Sequence, residues 1–251
     1  MRARERGAVL VLLCLIVAVV TSACGGVLRK KYEYEEEIYL FLDGTATVNV
    51  NASVASLVAL RGVDLPLDPE MRIDRRRVRA FFEGPGATVA AVSLSRRSGR
   101  RFVHVSINVT DVRQLPRLAP FRWSAYRFER EGDLFVFRQT VGKPDGRPVG
   151  DIGWHGNEAV MFKMHLPSQI PYHNAPSKRV ERGNILEWEQ PLAERLRGVP
   201  VDVEVRMEPE SILYTTLLLF GSTVVAAAVL FAVVIWWVWR RGREPEALST
   251  L

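Results

Sequence analysis

Hydrophobic positions fall into two patterns along this chain. Long unbroken apolar runs lie near both ends, and short period-two stretches punctuated by glycine turns lie between them. The longer run, residues 212–239, reads ILYTTLLLFGSTVVAAAVLFAVVIWWVW and contains no charged residue. At ~1.5 Å rise per residue it exceeds a hydrocarbon core ~30 Å thick, so it predicts a helix that spans with some tilt. Trp236, Trp237 and Trp239 close it, and Arg240, Arg241 and Arg243 follow at once. Interfacial aromatics backed by arginines mark the cytoplasmic end of a spanning helix. A helix buried in a soluble core is the competing reading, but such helices rarely stay free of charge over this length.

The middle of the chain alternates. Residues 30–42 place Tyr32, Tyr34, Ile38, Leu40 and Leu42 on one parity and Glu33, Glu35 and Glu37 on the other, which is a strand. Asp43-Gly44 predicts a two-residue hairpin, with the return over residues 45–52. Ser53 caps a short apolar helix over 54–61 that Gly62 closes, and with almost no polar face it should be buried. Asp74 caps a second helix over 75–83, with Ile73, Val78, Phe81 and Phe82 inward and Arg75, Arg76 and Arg79 outward. Ser98-Gly99 and Glu131-Gly132 predict two more hairpins, and residues 111–118 a helical turn or two broken at Pro116. A surface loop over 142–153 follows, then strands at 158–166, 184–189 and 200–207, and a short helix over 191–197. A short strand is expected near Arg179. The fold class is α+β, with one mainly antiparallel sheet of at least six strands and two to four short helices. In the third hairpin Leu134, Phe135, Val136 and Phe137 are apolar on both faces, opposite Tyr126 and Phe128. Both sides of that strand need cover, by helices or by a ligand, which makes Phe135, Phe137, Tyr126 and Phe128 the candidate ligand-binding set.

The N-terminal run changes the reading of compartment. Arg2, Arg4 and Arg6 precede an apolar stretch over 8–20, and the small residues Thr21, Ser22 and Ala23 lead to Cys24. Residues 1–23 are a targeting segment. Three outcomes stay open: lipidation of Cys24, ordinary cleavage, or an uncleaved anchor over 7–23. All three put residues 25–210 outside the cytoplasm and the tail, 240–251, inside, because arginines flank both apolar runs on the inner side. Of the net charge of +6, the first 23 residues hold +2 and the tail +1, leaving +3 for the rest. So the alkaline balance does not announce a nucleic-acid binder, which would need a concentrated basic face. The two cysteines, Cys14 and Cys24, lie in or beside the leader, so the domain holds neither an internal disulfide nor a thiolate metal site.

Residues 166–188, LPSQIPYHNAPSKRVERGNILEW, carry a family pattern. Leu166, Pro167, Ser168, Ile170, Asn174, Val180, Gly183, Asn184, Leu186 and Trp188 match the positions through which this segment resembles the LppM-like domain of bacterial lipoproteins. The stretch IYLFLDGTATVNVNASV resembles that family's opening hairpin, and Cys24 its lipidation site. Ser168 departs from a usual glycine, Thr21 from a usual aliphatic residue, and the middle of the chain has no counterpart. The resemblance implies a membrane-anchored envelope domain that binds lipid in an apolar cavity, and brings no catalytic residues with it. Read from the residues alone, Gly183-Asn184 is turn chemistry and Trp188 a core side chain.

Candidate chemistry adds little. His104, His155, His165 and His173 have no metal-ligand spacing, although His165 and His173 flank the matched segment, with Glu158 or Glu187 as potential neighbours. No nucleophile elbow, phosphate loop or dinucleotide fingerprint occurs. No cofactor or metal is expected, and no enzyme activity. The expected function is a membrane-anchored binding module for lipid or another apolar envelope molecule. The alternatives are an assembly protein that docks another envelope protein, and, less favoured, a hydrolase or metal enzyme. Reach adds one expectation. About four residues, spanning no more than ~14 Å, separate the last strand from the spanning helix. The face holding the ends of the first and last strands should then sit on the headgroups, with any apolar cavity opening there.

Overall fold

The computed structural model describes residues 32–241; Cys24, Arg243 and the N-terminal apolar run lie outside them. The elements are β1 (Tyr32–Leu40), β2 (Ala46–Ser53), α1 (Val54–Arg61), α2 (Arg75–Phe82), β3 (Ala87–Arg97), β4 (Arg100–Val109), 3-10 turns at Val112–Arg117 and Ala119–Phe121, β5 (Ser124–Glu131), β6 (Leu134–Val141), β7 (Ala159–His165), β8 (Tyr172–His173), β9 (Ile185–Pro191), α3 (Leu192–Leu196), β10 (Val201–Met207) and α4 (Ile212–Arg241). The fold is α+β, as the alternation predicts. The strands form two sheets rather than one: six in the order β3-β4-β2-β1-β7-β9 and four in the order β5-β6-β10-β8. Pairing is antiparallel except between β1 and β7, which run parallel. That crossover lets a strand from late in the chain lie beside the first, and hairpin signals cannot foretell it.

Three local expectations are corrected. The first hairpin has a three-residue loop. Gly44 donates to the Phe41 carbonyl at 3.1 Å, Phe41 and Thr45 pair at 2.9 Å, and Gly44 takes φ +86°. This is a type I turn followed by a left-handed glycine. In the third hairpin Glu131 pairs with Leu134, so the turn is Gly132-Asp133. The short strand falls at Tyr172–His173, on β10, and not near Arg179. The two N-caps stand where expected: Ser53 accepts from Ser56 N–H and Asp74 from Arg76 N–H.

One core lies between the sheets. It joins Ile38, Val48, Val105 and Phe162 of the larger sheet to Phe137, Val203 and Val205 of the smaller, with α1, α2 and the 3-10 turns closing it. The loop after β6 is more than a surface connection. Asp145 N–H and Arg147 N–H donate to the Leu60 and Val58 carbonyls, giving the last turn of α1 the partners that a helix C-terminus lacks. Gly146 lies so close to that turn that a Cβ there would stand 2.1 Å from the Ala59 carbonyl oxygen.

Candidate functional site

The β5–β6 aromatic set faces inward. Phe137 is fully buried, Tyr126 and Phe128 nearly so, and Phe135 packs partly buried against the core. Phe128 stacks on Phe135 at 5.4 Å, and Tyr126 meets Phe137 edge-on at 6.5 Å. The cover for this face comes from the protein's own core. On the other face the buried Val136 is flanked across the strands by Glu129 and Arg206. Arg138 there bridges Glu129, Glu131 and Glu204.

Beside the aromatics lies a buried polar hub centred on Glu36. One carboxylate oxygen accepts from Tyr126 Oη at 2.8 Å and from Gln139 Nε2 at 2.9 Å. The other accepts from Tyr34 Oη at 2.9 Å and from the Arg61 guanidinium. Both members of the Glu36–Arg61 pair are essentially inaccessible. Burial pushes the Tyr34 and Tyr126 phenols well above the usual tyrosine range, so both stay donors. Arg61 lies 3.4 Å from the Trp123 ring centroid, and Arg195 lies 5.3 Å from it. Arg195 is wholly buried, bonded to the Val141 and Gly142 carbonyls. Burial, then the charge of Arg61, lowers its pKa to about 10. Of the two buried guanidiniums, Arg61 pairs with the Glu36 carboxylate and Arg195 is held by carbonyl oxygens. The hub ties the small sheet (Tyr126, Gln139) to the large one (Tyr34, Glu36).

Two clefts open at one end of the large sheet. The first, about 530 Å³, is lined by Glu70, Met71, Arg72, Ile73, Arg75, Leu94, Ser95, Arg96 and Arg101. The second, about 360 Å³, lies between the start of α1, the start of β4 and the loop residues Val149, Asp151 and Ile152. Arg101 lines both. Its guanidinium donates to the Pro66 and Met71 carbonyls, and Arg96 donates to the Pro69 carbonyl at 2.9 Å.

The base of α4 is at the opposite end. Glu208 N–H donates to Gln169 O at 3.0 Å and Ile212 N–H to Pro167 O at 2.9 Å, with Ser168 and Ser211 forming a β-bridge between them. The segment gripping the helix is therefore 167–169, just past the end of β7. Asn184, at φ +56°, donates to the Ser168 carbonyl at 2.7 Å. Asn174 Oδ1 accepts from Trp188 Nε1 at 3.0 Å and from Glu204 N–H at 2.9 Å, joining the two sheets. Trp188 is a core residue and Gly183-Asn184 a turn, as read from the sequence. The sheet-joining role of Asn174 has no local sequence signal.

Because β1 and β7 are parallel and in register from Tyr34↔Val160 to Tyr39↔His165, the start of β1 lies at the cleft end and the end of β7 at the helix end. Nine residues of β1 at ~3.3 Å each separate the two ends by about 30 Å. The C-terminal ends of β1, β7 and β10 therefore lie at the helix end, away from the arginine-lined clefts.

The histidines are dispersed. His104 takes part in a cross-strand row, with Nε2 2.7 Å from Ser95 Oγ and Nδ1 3.0 Å from Asn51 Oδ1. Burial, then Arg97, lowers its pKa. His165 pairs with Glu37 at 2.6 Å and stacks on Tyr39 at 3.9 Å. His173 lies in β8, and burial followed by the charge of Lys178 lowers its pKa. His155 N–H donates to Glu158. Among the described residues no three His, Cys, Asp or Glu side chains gather as a metal site would require.

α4 is exposed over its apolar length. Trp236, Trp237 and Trp239 point outward, and Arg240 lies over the Trp236 ring at 5.3 Å. By length and composition this helix can cross a membrane.

No protein-family model matches the chain, and no curated protein matches it. Among solved structures it is similar to the folded domain of the Mycobacterium tuberculosis LppM protein, determined by NMR. The two are 12% identical, the match covers 73% of this chain and 94% of that one, and the TM-score is 0.41, a distant likeness of fold.

Proposed function

We propose that this chain is a membrane-anchored binding module of a bacterial envelope, related to the LppM-like domains, with residues 25–210 outside the cytoplasm and the tail inside. Its ligand is a lipid or another apolar envelope molecule, and its role is to hold that ligand rather than to transform it. The observation that carries the reading is α4: thirty residues, exposed along the apolar run, and hydrogen-bonded at its base to the domain. So large an uncovered apolar surface is stable only in lipid or against a partner. The arginines after Trp239 orient it with the tail inward.

Two measurements test the reading. Native mass spectrometry of the full chain taken from its own membrane should show a bound apolar molecule, and a ligand-free spectrum from gentle extraction would count against ligand holding. Protease added to intact spheroplasts should remove the domain and spare a tag placed after Leu251; protection of the domain would reverse the orientation. Incorporation of radiolabelled palmitate, lost in Cys24→Ala, would identify the N-terminal segment as a second anchor.

A further inference from the structure

The first cleft has a charge pattern that its fold does not use. Four arginines, Arg72, Arg75, Arg96 and Arg101, line it against one acid, Glu70, over apolar patches from Met71, Ile73 and Leu94. Within the described residues none of the four forms an ion pair, whereas Arg77, Arg113, Arg138 and Arg206 elsewhere on the surface each hold a carboxylate. Arg96 and Arg101 are positioned by backbone carbonyls of residues 66–71, which fix the guanidinium planes without neutralising them. Each guanidinium carries five N–H donors, so most remain unspent. Burial, then the neighbouring Arg96 charge, holds the Arg101 pKa below its ordinary value against the opposing charges of Asp68 and Glu70, so an anion placed beside Arg101 would relieve it.

We propose that this cleft is an anion site for a phosphate-bearing ligand, gripped by Arg72, Arg75, Arg96 and Arg101, with Ile73 and Leu94 against the ligand's non-polar part. Phosphate fits better than a lone carboxylate, because its oxygens spread over one face and match several planar forks at once. The cleft is about 30 Å from the base of α4, by the length of β1, so the ligand arrives from the aqueous side and not from the anchoring bilayer. The assignment rests on the reading of the chain as a binding module and specifies what that module recognises.

The test uses the full chain in uncharged-detergent micelles. Calorimetric titration with tripolyphosphate probes a soluble phosphate, and flotation with separate vesicles of phosphatidylglycerol or phosphatidylcholine probes a lipid headgroup. Saturable binding in either arm, weakened at least tenfold in Arg72→Ala/Arg96→Ala, partly kept in Arg72→Lys/Arg96→Lys and unchanged in Arg127→Ala, supports the site. The arm that responds tells a free phosphate from a headgroup. An unchanged melting temperature shows that the variants are folded. Binding equal in wild type and the double alanine variant, no saturable binding in either arm, or polyglutamate binding as tightly as tripolyphosphate overturns the assignment. A chain that carries an apolar molecule in native mass spectrometry yet ignores both phosphate probes loses this site and keeps the binding-module reading. A chain that binds tripolyphosphate through these arginines with no apolar molecule aboard does the reverse.

Discussion

Replacing Glu36 with glutamine removes a charge and leaves the volume almost unchanged, so it isolates the electrostatics of the hub. Glu36 accepts four hydrogen bonds, from Tyr34, Tyr126, Gln139 and Arg61. Glutamine offers one acceptor oxygen and turns an NH2 toward groups that are themselves donors. Arg61 would then keep a buried charge without its carboxylate, with its Nε and Nη1 already lacking partners and Arg195 nearby. Breaking a buried pair from one side costs ~3–5 kcal/mol. Against a domain stability of ~5–15 kcal/mol that is a large fraction. At roughly 2–4 °C per kcal/mol for a domain of this size, the melting temperature should fall by about 6–20 °C. The assay is thermal unfolding by near-ultraviolet circular dichroism in one detergent at pH 7. Glu36→Gln/Arg61→Met tests the cause: an apolar side chain in place of the cation should recover much of the loss, since a buried pair exchanged for packed apolar groups is often neutral. A Glu36→Gln melting temperature within about 2 °C of wild type, or a double variant no better than the single, would refute the reasoning.

Gly146→Ala should destabilise by ~1–3 kcal/mol, read as a lower denaturation midpoint, because its Cβ would meet the backbone of α1 rather than a movable side chain. Gly99→Ala, with open space around its Cβ, should cost less and only through its φ of +75°. Glu158 predicts an acid-side effect. Burial raises its pKa, but the His155 and Gly156 amides and Arg100 outweigh that and hold the carboxyl below its usual value. A depressed pKa adds stability above the unfolded value of ~4.3 that is lost as pH falls through the folded value. The melting-temperature gap between wild type and Glu158→Gln should therefore be constant from pH 6 to 8 and shrink below about pH 4.5; a gap independent of pH would argue against it. Finally, a 20-residue Gly/Ser insert after Glu208 should leave folding intact, broaden spin-label distances between the domain and α4, and impair function in a loss-of-function assay. Unchanged distance distributions would show that the contacts of 167–169 with 208–212 do not hold the helix.

Elements were legible where one residue type decides local backbone. Ser53 and Asp74 announced helix starts, Gly62 a helix end, and parity the strands. Turn lengths were less so, because Asp43-Gly44 suits a two-residue loop and a three-residue loop equally well until the pairing of Phe41 with Thr45 decides. The division into two sheets was not legible, since each strand's alternation names an inward face and no neighbour. The hub had a signal that parity alone leaves unweighted: Glu36 shares the inward parity of Tyr34 and Ile38, and a glutamate there must be paired. Its partners, Arg61 and Gln139, come from distant segments and needed the fold. The arginine cleft likewise assembles residues from a loop, α2 and the β3–β4 hairpin, and no stretch of sequence brings these together.

The grip of residues 167–169 on the start of α4 also has a mechanical meaning. A domain on a slack tether would point in every direction, whereas a domain bonded at the helix base inherits the helix's angle. Spanning helices lean by ~20° on average and adjust to bilayer thickness. Over an arm of about 30 Å, such a lean carries the far end of the large sheet sideways by about 10 Å. Local bilayer thickness, acting through helix angle, would therefore aim the clefts.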